Sequence, residues 1–394
     1  AYDYNILHET FNYGIGAQYM INKGNYITAD CYADHFSSSY CFFKDNKTYN
    51  GKAGEEQVRK RTRNHNLSIK GIFKLGNRHK LSVGTEYIVD VLKSQTDNIA
   101  KEDAYTLALF AQDEIKLLRN LQALIGVRYI YHENFKNHAT PNVALMYKPG
   151  KFNFRASYAA GFRTPTLSEL YATDIAKKND RLTIGNLDLK PEKNNYFSLS
   201  AEYVHERFSV SVNAFYNNIR DMIDYNTIAT GDKAMEQYGH KEVRQRDNIA
   251  EAKVHGINVS ANAYLGAGFN LSGGYTHLNT QDVELEQPID KSIKNAYNIN
   301  AQWAHSWKIY RLNINLNGRF NSKRFSKSYG YAPEYQLWDL NTRHSFNLKS
   351  VIIEPGFGME NLFDYMDDRP YNSNYATLTP GRSFYISLSL KFKS

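Results

Sequence analysis

The sequence predicts an all-β protein, a transmembrane antiparallel β-barrel. Three observations carry this: apolar and polar residues alternate at a period of two, the alternating segments are long, and the connections between them alternate between short and long. The 394 residues include 31 Tyr and 21 Phe, 14 % aromatic in all, too many for a disordered chain. A mean hydropathy of -0.59, with no apolar run near the roughly 18 residues that a spanning helix requires, excludes a helical membrane protein.

The last alternating segment is the clearest. Phe384, Ile386, Leu388, Leu390 and Phe392 share one face, and Tyr385, Ser387, Ser389 and Lys391 share the other. Over 310–320 the apolar set Tyr310, Leu312, Ile314, Leu316 and Phe320 faces away from Arg311, Asn313, Asn315, Asn317 and Arg319. The pattern recurs through 17 segments: 9–20, 26–34, 62–74, 80–92, 105–117, 121–131, 141–148, 152–160, 194–204, 207–218, 254–265, 269–279, 296–306, 309–320, 336–348, 351–360 and 383–392. Strands of about nine residues or more exceed the usual five to six of globular sheets and match a tilted bilayer crossing.

Between them, the connections 75–79, 118–120, 149–151, 205–206, 266–268, 307–308 and 349–350 are short. Those at 35–61, 93–104, 132–140, 161–193, 219–253, 280–295, 321–335 and 361–382 are long, the asymmetry of short periplasmic turns and long outer loops. Trp303, Trp307, Trp338, Tyr264, Tyr310 and Tyr385 fall near strand ends, as interfacial girdles require. A soluble sheet would alternate too, but with shorter strands, and no blade signature repeats at a propeller's period. Cys31 and Cys41 match no zinc spacing and allow either one loop disulfide or two separate thiols.

Two boxes lie in the loop after the eighth segment. The first reads Gly161-Phe162-Arg163-Thr164-Pro165-Thr166-Leu167-Ser168-Glu169-Leu170-Tyr171, and the second Gly185-Asn186-Leu187-Asp188-Leu189-Lys190-Pro191-Glu192. They resemble the paired FRAP and NPDL boxes of TonB-dependent outer-membrane receptors, with Thr164 for the usual Ala and Leu187 for the usual Pro. Later segments resemble the same family in order: Ile219-Arg220-Asp221-Met222-Ile223, Ala252-Lys253-Val254-His255-Gly256-Ile257, Glu360-Asn361-Leu362-Phe363-Asp364 and Gly381-Arg382. The resemblance covers roughly the last 250 residues.

The resemblance implies a barrel of 22 strands around a plug. Against the 17 visible here, it casts the whole chain, 1–394, as the C-terminal part of one such barrel domain, with the plug and about five strands upstream. It also implies location in the outer membrane of a Gram-negative bacterium and uptake of a metal chelate, a ferric siderophore or haem, energised by the TonB complex acting through the plug. Cobalamin is the alternative within the family, and a surface lipoprotein is a further partner. No intrinsic cofactor follows; calcium is the candidate ion, for which Asp364, Asp367 and Asp368 are the suggestive cluster. The metal ligands themselves are left unassigned.

Read physically, Pro165 and Pro191 remove backbone donors at the rim, while Arg163, Glu169, Asp188 and Glu192 are suited to an ion-pair network that organises the loop. Ligand capture belongs to loops on a rigid scaffold. The candidates are His132 and His138 in 132–140, Tyr238, His240 and Arg244 in 219–253, Tyr329, Tyr331 and Tyr335 in 321–335, and Tyr371 and Tyr375 in 361–382. Aromatic rings suit macrocycles or catecholates, and cations suit anionic chelates. The resemblance implies that a haem receptor would carry an axial His between the boxes; residues 166–185 contain none, which weakens haem, and His35, His132, His138 or His240 would have to serve instead.

Neither G-x-S-x-G nor H-E-x-x-H occurs, so a barrel lipase or protease is a weaker class, as is a passive porin. The net charge of +8 favours anionic partners, but no basic run or recognition helix points to nucleic acid.

Overall fold

The computed structural model describes residues 3–176, 180–326, 330–367 and 379–393. Among them are twenty-one strands and two short helices. All 17 predicted segments are strands, and the four others are short.

In order, the first eight are β1 (Tyr4–Asn22), β2 (Asn25–Phe42), β3 (Glu56–Leu75), β4 (His79–Ser94), β5 (Ile99–Leu118), β6 (Leu121–His132), β7 (Lys136–Tyr147) and β8 (Phe152–Arg163). The box-bearing loop follows, with α1 (Leu167–Tyr171), β9 (Thr173–Ala176) and β10 (Arg181–Ile184). Then come β11 (Glu192–Val204), β12 (Phe208–Thr230), α2 (Gly231–Tyr238), β13 (Glu242–Gly266), β14 (Phe269–Asp282), β15 (Asn295–Trp307) and β16 (Tyr310–Asn321). The chain continues through β17 (Arg324–Ser326), β18 (Gly330–Ala332), β19 (Tyr335–Asn347), β20 (Val351–Glu360) and β21 (Ser383–Phe392).

The strands outrun their predicted lengths. β12 has 23 residues and β13 has 25, because the backbone ladder continues beyond the apolar band, where side chains of both faces are polar and alternation no longer signals a strand. Two connections expected to be long are therefore short, 95–98 and 133–135, and His132 and His138 lie on β6 and β7 instead of in a loop. Cys31 and Cys41 both sit on β2 and are free thiols. Ten residues of extended chain separate them by roughly 33 Å, far beyond the reach of a disulfide.

The chain forms two compact units, Ala1–Leu145 with Tyr158–Asn195 and Ile219–Glu251, and Met146–Ser157 with Tyr196–Asn218 and Ala252–Ser394. In the first, β1 to β6 pair antiparallel in sequence order, and β10 pairs parallel to the start of β13. In the second, β13, β14, β15, β16, β19, β20 and β21 pair antiparallel in the same way. The two-residue turn between β13 and β14 needs positive φ at Ala267 (48°) and Gly268 (85°), and a Cβ at Gly268 would collide with the Ala304 carbonyl oxygen.

Among the described residues neither unit has a central apolar core. Large apolar side chains lie instead on an exposed face at every second position. On β21, Phe384, Ile386, Leu388, Leu390 and Phe392 are 50–81 % exposed, which would be ruinous in water and is what a lipid-facing wall requires. The opposite face is hydrogen-bonded and amide-rich: Asn300 donates to Asn315 at 2.6 Å and Tyr385 donates to Asn341 at 2.7 Å. Among the described residues no helix is long and apolar enough to cross a membrane.

Three buried apolar clusters occur among the described residues, all at the long-loop end of the first unit. They are Leu92, Ile99, Ala104 and Leu167; Leu170, Leu189 and Ile223; and Ala229, Ala234 and Val243. The packed interior of this unit thus serves to hold its loops.

Candidate functional site

The box-bearing loop is clasped by one guanidinium. Thr166-Leu167-Ser168-Glu169 is a capping box: Thr166 Oγ1 accepts from the Glu169 N–H at 3.2 Å, and Glu169 accepts from the Thr166 N–H at 2.8 Å. Glu169 is thereby held where Arg163, the last residue of β8, reaches it with Nη1 at 2.9 Å. Arg163 also forks onto Glu192, the first residue of β11, through Nε at 2.7 Å and Nη2 at 2.6 Å. Glu192 Oε1 accepts the Ile223 N–H at 2.9 Å, tying β12 to the same point.

The expected network therefore exists for Arg163, Glu169 and Glu192. Asp188 is exposed, and the ion pairs of Arg163 run to Glu169 and Glu192; the Asp188 backbone N–H donates to Asn186 Oδ1 at 2.9 Å in an Asx turn. Asn248 fastens the far end of the box, accepting from the Lys190 N–H at 2.7 Å and donating to the carbonyls of Lys190 and Asp221 at 2.8 and 2.6 Å. Within the boxes Phe162 stacks on His138 with centroids 4.0 Å apart, Pro165, Leu189 and Pro191 are buried, and Leu187 is exposed. Thr164 is half-buried at the strand exit.

Burial pushes the Glu169 carboxyl up, but hydrogen bonds from Arg163 and Thr166 outweigh it and leave the carboxyl below its ordinary range. A carboxyl depressed in the folded state stabilises the loop at pH above its unfolded value of 4.5 and loses that contribution as pH falls through the folded value. Hydrogen exchange at the Thr166 amide, corrected for intrinsic rate, should accelerate as pH drops below about 4.5, and Glu169→Gln should flatten that dependence. A loop equally protected at about pH 3 and about pH 6 would contradict this sign.

Each candidate ligand residue that the structure describes has a partner close by. His132 is buried and accepts the Asn134 N–H on Nδ1 at 3.1 Å; His138 Nε2 is 2.8 Å from the Phe135 carbonyl. His240 Nδ1 lies 2.9 Å from Asp180, and this hydrogen bond holds the Asp180 carboxyl below its usual range. Arg244 Nε donates to Glu242 at 2.5 Å, and Tyr238 packs on the Ala229, Ala234 and Val243 cluster. Tyr331 meets Phe325 edge-on at 5.3 Å, and Tyr335 stacks on Tyr365 at 5.6 Å. His35 meets His65 edge-on at 5.4 Å, far in sequence register from the loop-end histidines. Tyr329, Tyr371 and Tyr375 lie outside the described residues.

Of the suggested acidic group for calcium, the structure describes Asp364 and Asp367. Asp364 Oδ1 accepts the Arg382 N–H at 2.7 Å, a loop closure that the neighbouring Asn361 completes by donating to the carbonyls of Tyr365 and Pro380 at 2.7 and 3.1 Å. Asp368 lies outside the described residues, and among these no three potential ligands gather around a metal position.

Within the first unit one group of side chains converges that the alternation pattern does not single out. Tyr4 stacks on Tyr40 at 4.4 Å, Tyr49 meets Tyr40 edge-on at 5.1 Å, and the Arg59 guanidinium lies 5.1 Å from the Tyr40 ring and 5.3 Å from that of Tyr49. Arg59 Nη1 donates to Gln95 at 3.2 Å, while its Nε is buried without an acceptor. Tyr4 and Tyr40 share the face opposite the outward Phe11, Tyr13 and Ile15. The available signal is the aromatic run of Tyr40, Phe42, Phe43 and Tyr49, but only the extension of β2 to Phe42 brings it beside Tyr4 on β1.

A wall with one lipid-facing and one polar face, and with its packed residues gathered around loops at one end, defines a transmembrane β-barrel of the receptor type. The chain belongs to the TonB-dependent receptor-like β-barrel family, whose family model matches residues 1–362. It is similar to the ferric enterobactin receptor PfeA of Pseudomonas aeruginosa, in a point-mutant form, with 18 % identity and a TM-score of 0.78 over 98 % of this chain and 62 % of that one. The siderophore receptor PirA of Acinetobacter baumannii gives 16 % and 0.75, over 98 % and 62 %. BauA, the ferric preacinetobactin receptor of the same species, gives 15 % and 0.69, over 98 % and 63 %. The chain thus spans about three fifths of the length of these receptors. Their family is one of receptors and transporters, not of enzymes.

Proposed function

We propose that the chain is the wall of an outer-membrane receptor that captures an anionic, aromatic ferric chelate of the catecholate class for TonB-driven uptake in a Gram-negative bacterium. The observation that carries this reading is the Tyr4, Tyr40, Tyr49 and Arg59 group at the long-loop end. Aromatic faces accept flat catechol rings, and a guanidinium with an unused N–H answers the negative charge of a tris-catecholate iron complex. The similar structures are siderophore receptors, which favours the same class over haem and cobalamin.

The test is tyrosine fluorescence of the detergent-refolded chain, titrated in parallel with a ferric tris-catecholate, haem and cyanocobalamin. The catecholate should quench at the lowest concentration, and Arg59→Gln with Tyr40→Ala should weaken it by about tenfold or more, on the scale of a charge-assisted contact. Tighter binding of haem or cobalamin would overturn the reading.

A further inference from the structure

One corner of the second unit concentrates lysine side chains that, among the described residues, pair with no carboxylate. The turn after β15, the turn after β19 and the end of β21 are joined through their backbones: the Asn347 N–H donates to the Ile309 carbonyl at 2.7 Å and the Lys393 N–H to that of Ser350 at 3.1 Å. Each piece carries an exposed lysine, Lys308, Lys349 and Lys393. No Asp or Glu occurs in 303–311, 344–353 or 388–393. Arg311 and Lys391 do not add to the crowding, since register puts them on the polar face opposite Ser345 and Ile352, and Lys391 is neutralised there by Glu354 at 2.6 Å.

Immediately beside the lysines, on the apolar face, Trp307, Ile309, Phe346, Leu348 and Phe392 are 38–81 % exposed. Aromatic and aliphatic residues of this kind rest at the boundary between acyl chains and headgroups, which sets the adjoining lysines at phosphate depth.

We propose that this corner is a docking surface for an anionic phospholipid, its headgroup phosphate held by Lys308 and Lys349 and its acyl chains lying on Trp307 and Phe346. Lys393 has a supporting part, since its Nζ already donates to Asn347 at 2.5 Å and to the Leu348 carbonyl at 2.8 Å and so braces the turn that presents Lys349. A zwitterionic headgroup carries its own cation and would leave the lysines crowded, whereas a net negative one removes the repulsion. The apolar strip continues the outward face of β16, β19 and β21, which favours a lipid over a soluble acidic protein. This inference rests on the membrane reading given above.

The test reconstitutes the full chain carrying Trp338→Phe, which leaves Trp303 and Trp307 as reporters, into vesicles with bromine-labelled phosphatidylglycerol or bromine-labelled phosphatidylcholine as the minor component. The bromine-labelled phosphatidylglycerol should quench about threefold more effectively, since a lysine near an anionic surface gives a several-fold preference. Lys308→Gln with Lys349→Gln should bring the ratio to about one, while Lys148→Gln with Lys151→Gln, on a turn remote in sequence, should leave it. Equal quenching by the two lipids, or a ratio unmoved by the first pair, would overturn the proposal and leave the membrane reading intact. Quenching by neither would overturn both, and suppression of the preference by polyglutamate but not by unlabelled phosphatidylglycerol would assign the patch to an acidic protein. Heat-modifiable gel migration equal to that of the unsubstituted chain establishes that the variants are folded.

Discussion

Arg163→Ala is expected to release the loop 164–191 from its strands while leaving β1 to β6 paired. The guanidinium touches two carboxylates whose side chains are only 13 % and 15 % exposed, Glu169 and Glu192, and is itself 42 % exposed. Removing it strands two negative charges facing each other with little water to solvate them. The cost is not that of a surface ion pair, which is usually below about 1 kcal/mol. It approaches that of breaking a half-buried pair, and with the exposure of Arg163 taken into account about 2 kcal/mol is expected.

Hydrogen exchange should therefore quicken at the amides of Thr166, Glu169 and Ile223, which depend on the two carboxylates directly or through the cap. Arg163→Lys should recover less than half of the protection, because one ammonium cannot fork onto two carboxylates from opposite sides. Adding Glu169→Gln to Arg163→Ala should restore part of it by removing the repulsion. Unchanged exchange in Arg163→Ala would show that apolar packing of Leu170 and Leu189 alone holds the loop.

That clasp was legible in the sequence, and the reason is local. Arg163, Glu169 and Glu192 are opposite charges in one loop between two strands that alternation marks, so their meeting required only that the loop close, whereas the capping box of Thr166 and Glu169 is seen only in the structure. Asp188 shares the charge, but its side chain is exposed and the pairing of Arg163 with Glu169 and Glu192 does not extend to it, which composition does not reveal. The strand bodies were visible because lipid on one side and polar groups on the other force a period of two. Where the wall rises past the lipid, that force vanishes: β12 runs to Thr230 and β13 starts at Glu242 with no apolar stripe to announce either. The Tyr4, Tyr40, Tyr49 and Arg59 group was illegible for the same reason. Its members come from the extension of β2, the start of β1 and β3, and a loop, and only cross-strand register, Ile6 opposite Tyr40, brings them together.

The charge of +8 also acquires a partial location. Lysine and arginine are spread evenly along the chain, yet Lys308, Lys349 and Lys393 become neighbours once their turns pair. Regular spacing along a chain of hairpins places residues from one set of turns at one end, which a linear scan does not register.

Gly185→Ala should disrupt the loop at least as severely as the loss of Arg163, by a different route. A Cβ at Gly185 would collide with the Leu170 carbonyl oxygen, and would lie 2.6 Å from its carbon and 2.9 Å from the Glu169 carbonyl oxygen. These are backbone atoms of α1 and cannot rotate aside as a side chain would. The strand cannot retreat either, since the Gly185 N–H donates to the Ala172 carbonyl at 2.7 Å and the Asn186 N–H to that of Glu169 at 3.0 Å. The methyl must therefore push α1 outward, lifting Leu170, 5 % exposed, from Leu189 and Ile223 and pulling Glu169 off Arg163. Overpacking of this kind costs about 1–3 kcal/mol, and the coupled loss of the ion pair places the expected effect at the upper end, about 3 kcal/mol. Limited proteolysis should cut within 164–191 in Gly185→Ala under conditions that spare the parent chain. Because both substitutions end in the same detached loop, Gly185→Ala with Arg163→Ala should be less destabilised than the sum of the two single variants. Strict additivity would mean that box and clasp hold the loop independently, and that the contact between Gly185 and α1 does nothing to position Glu169.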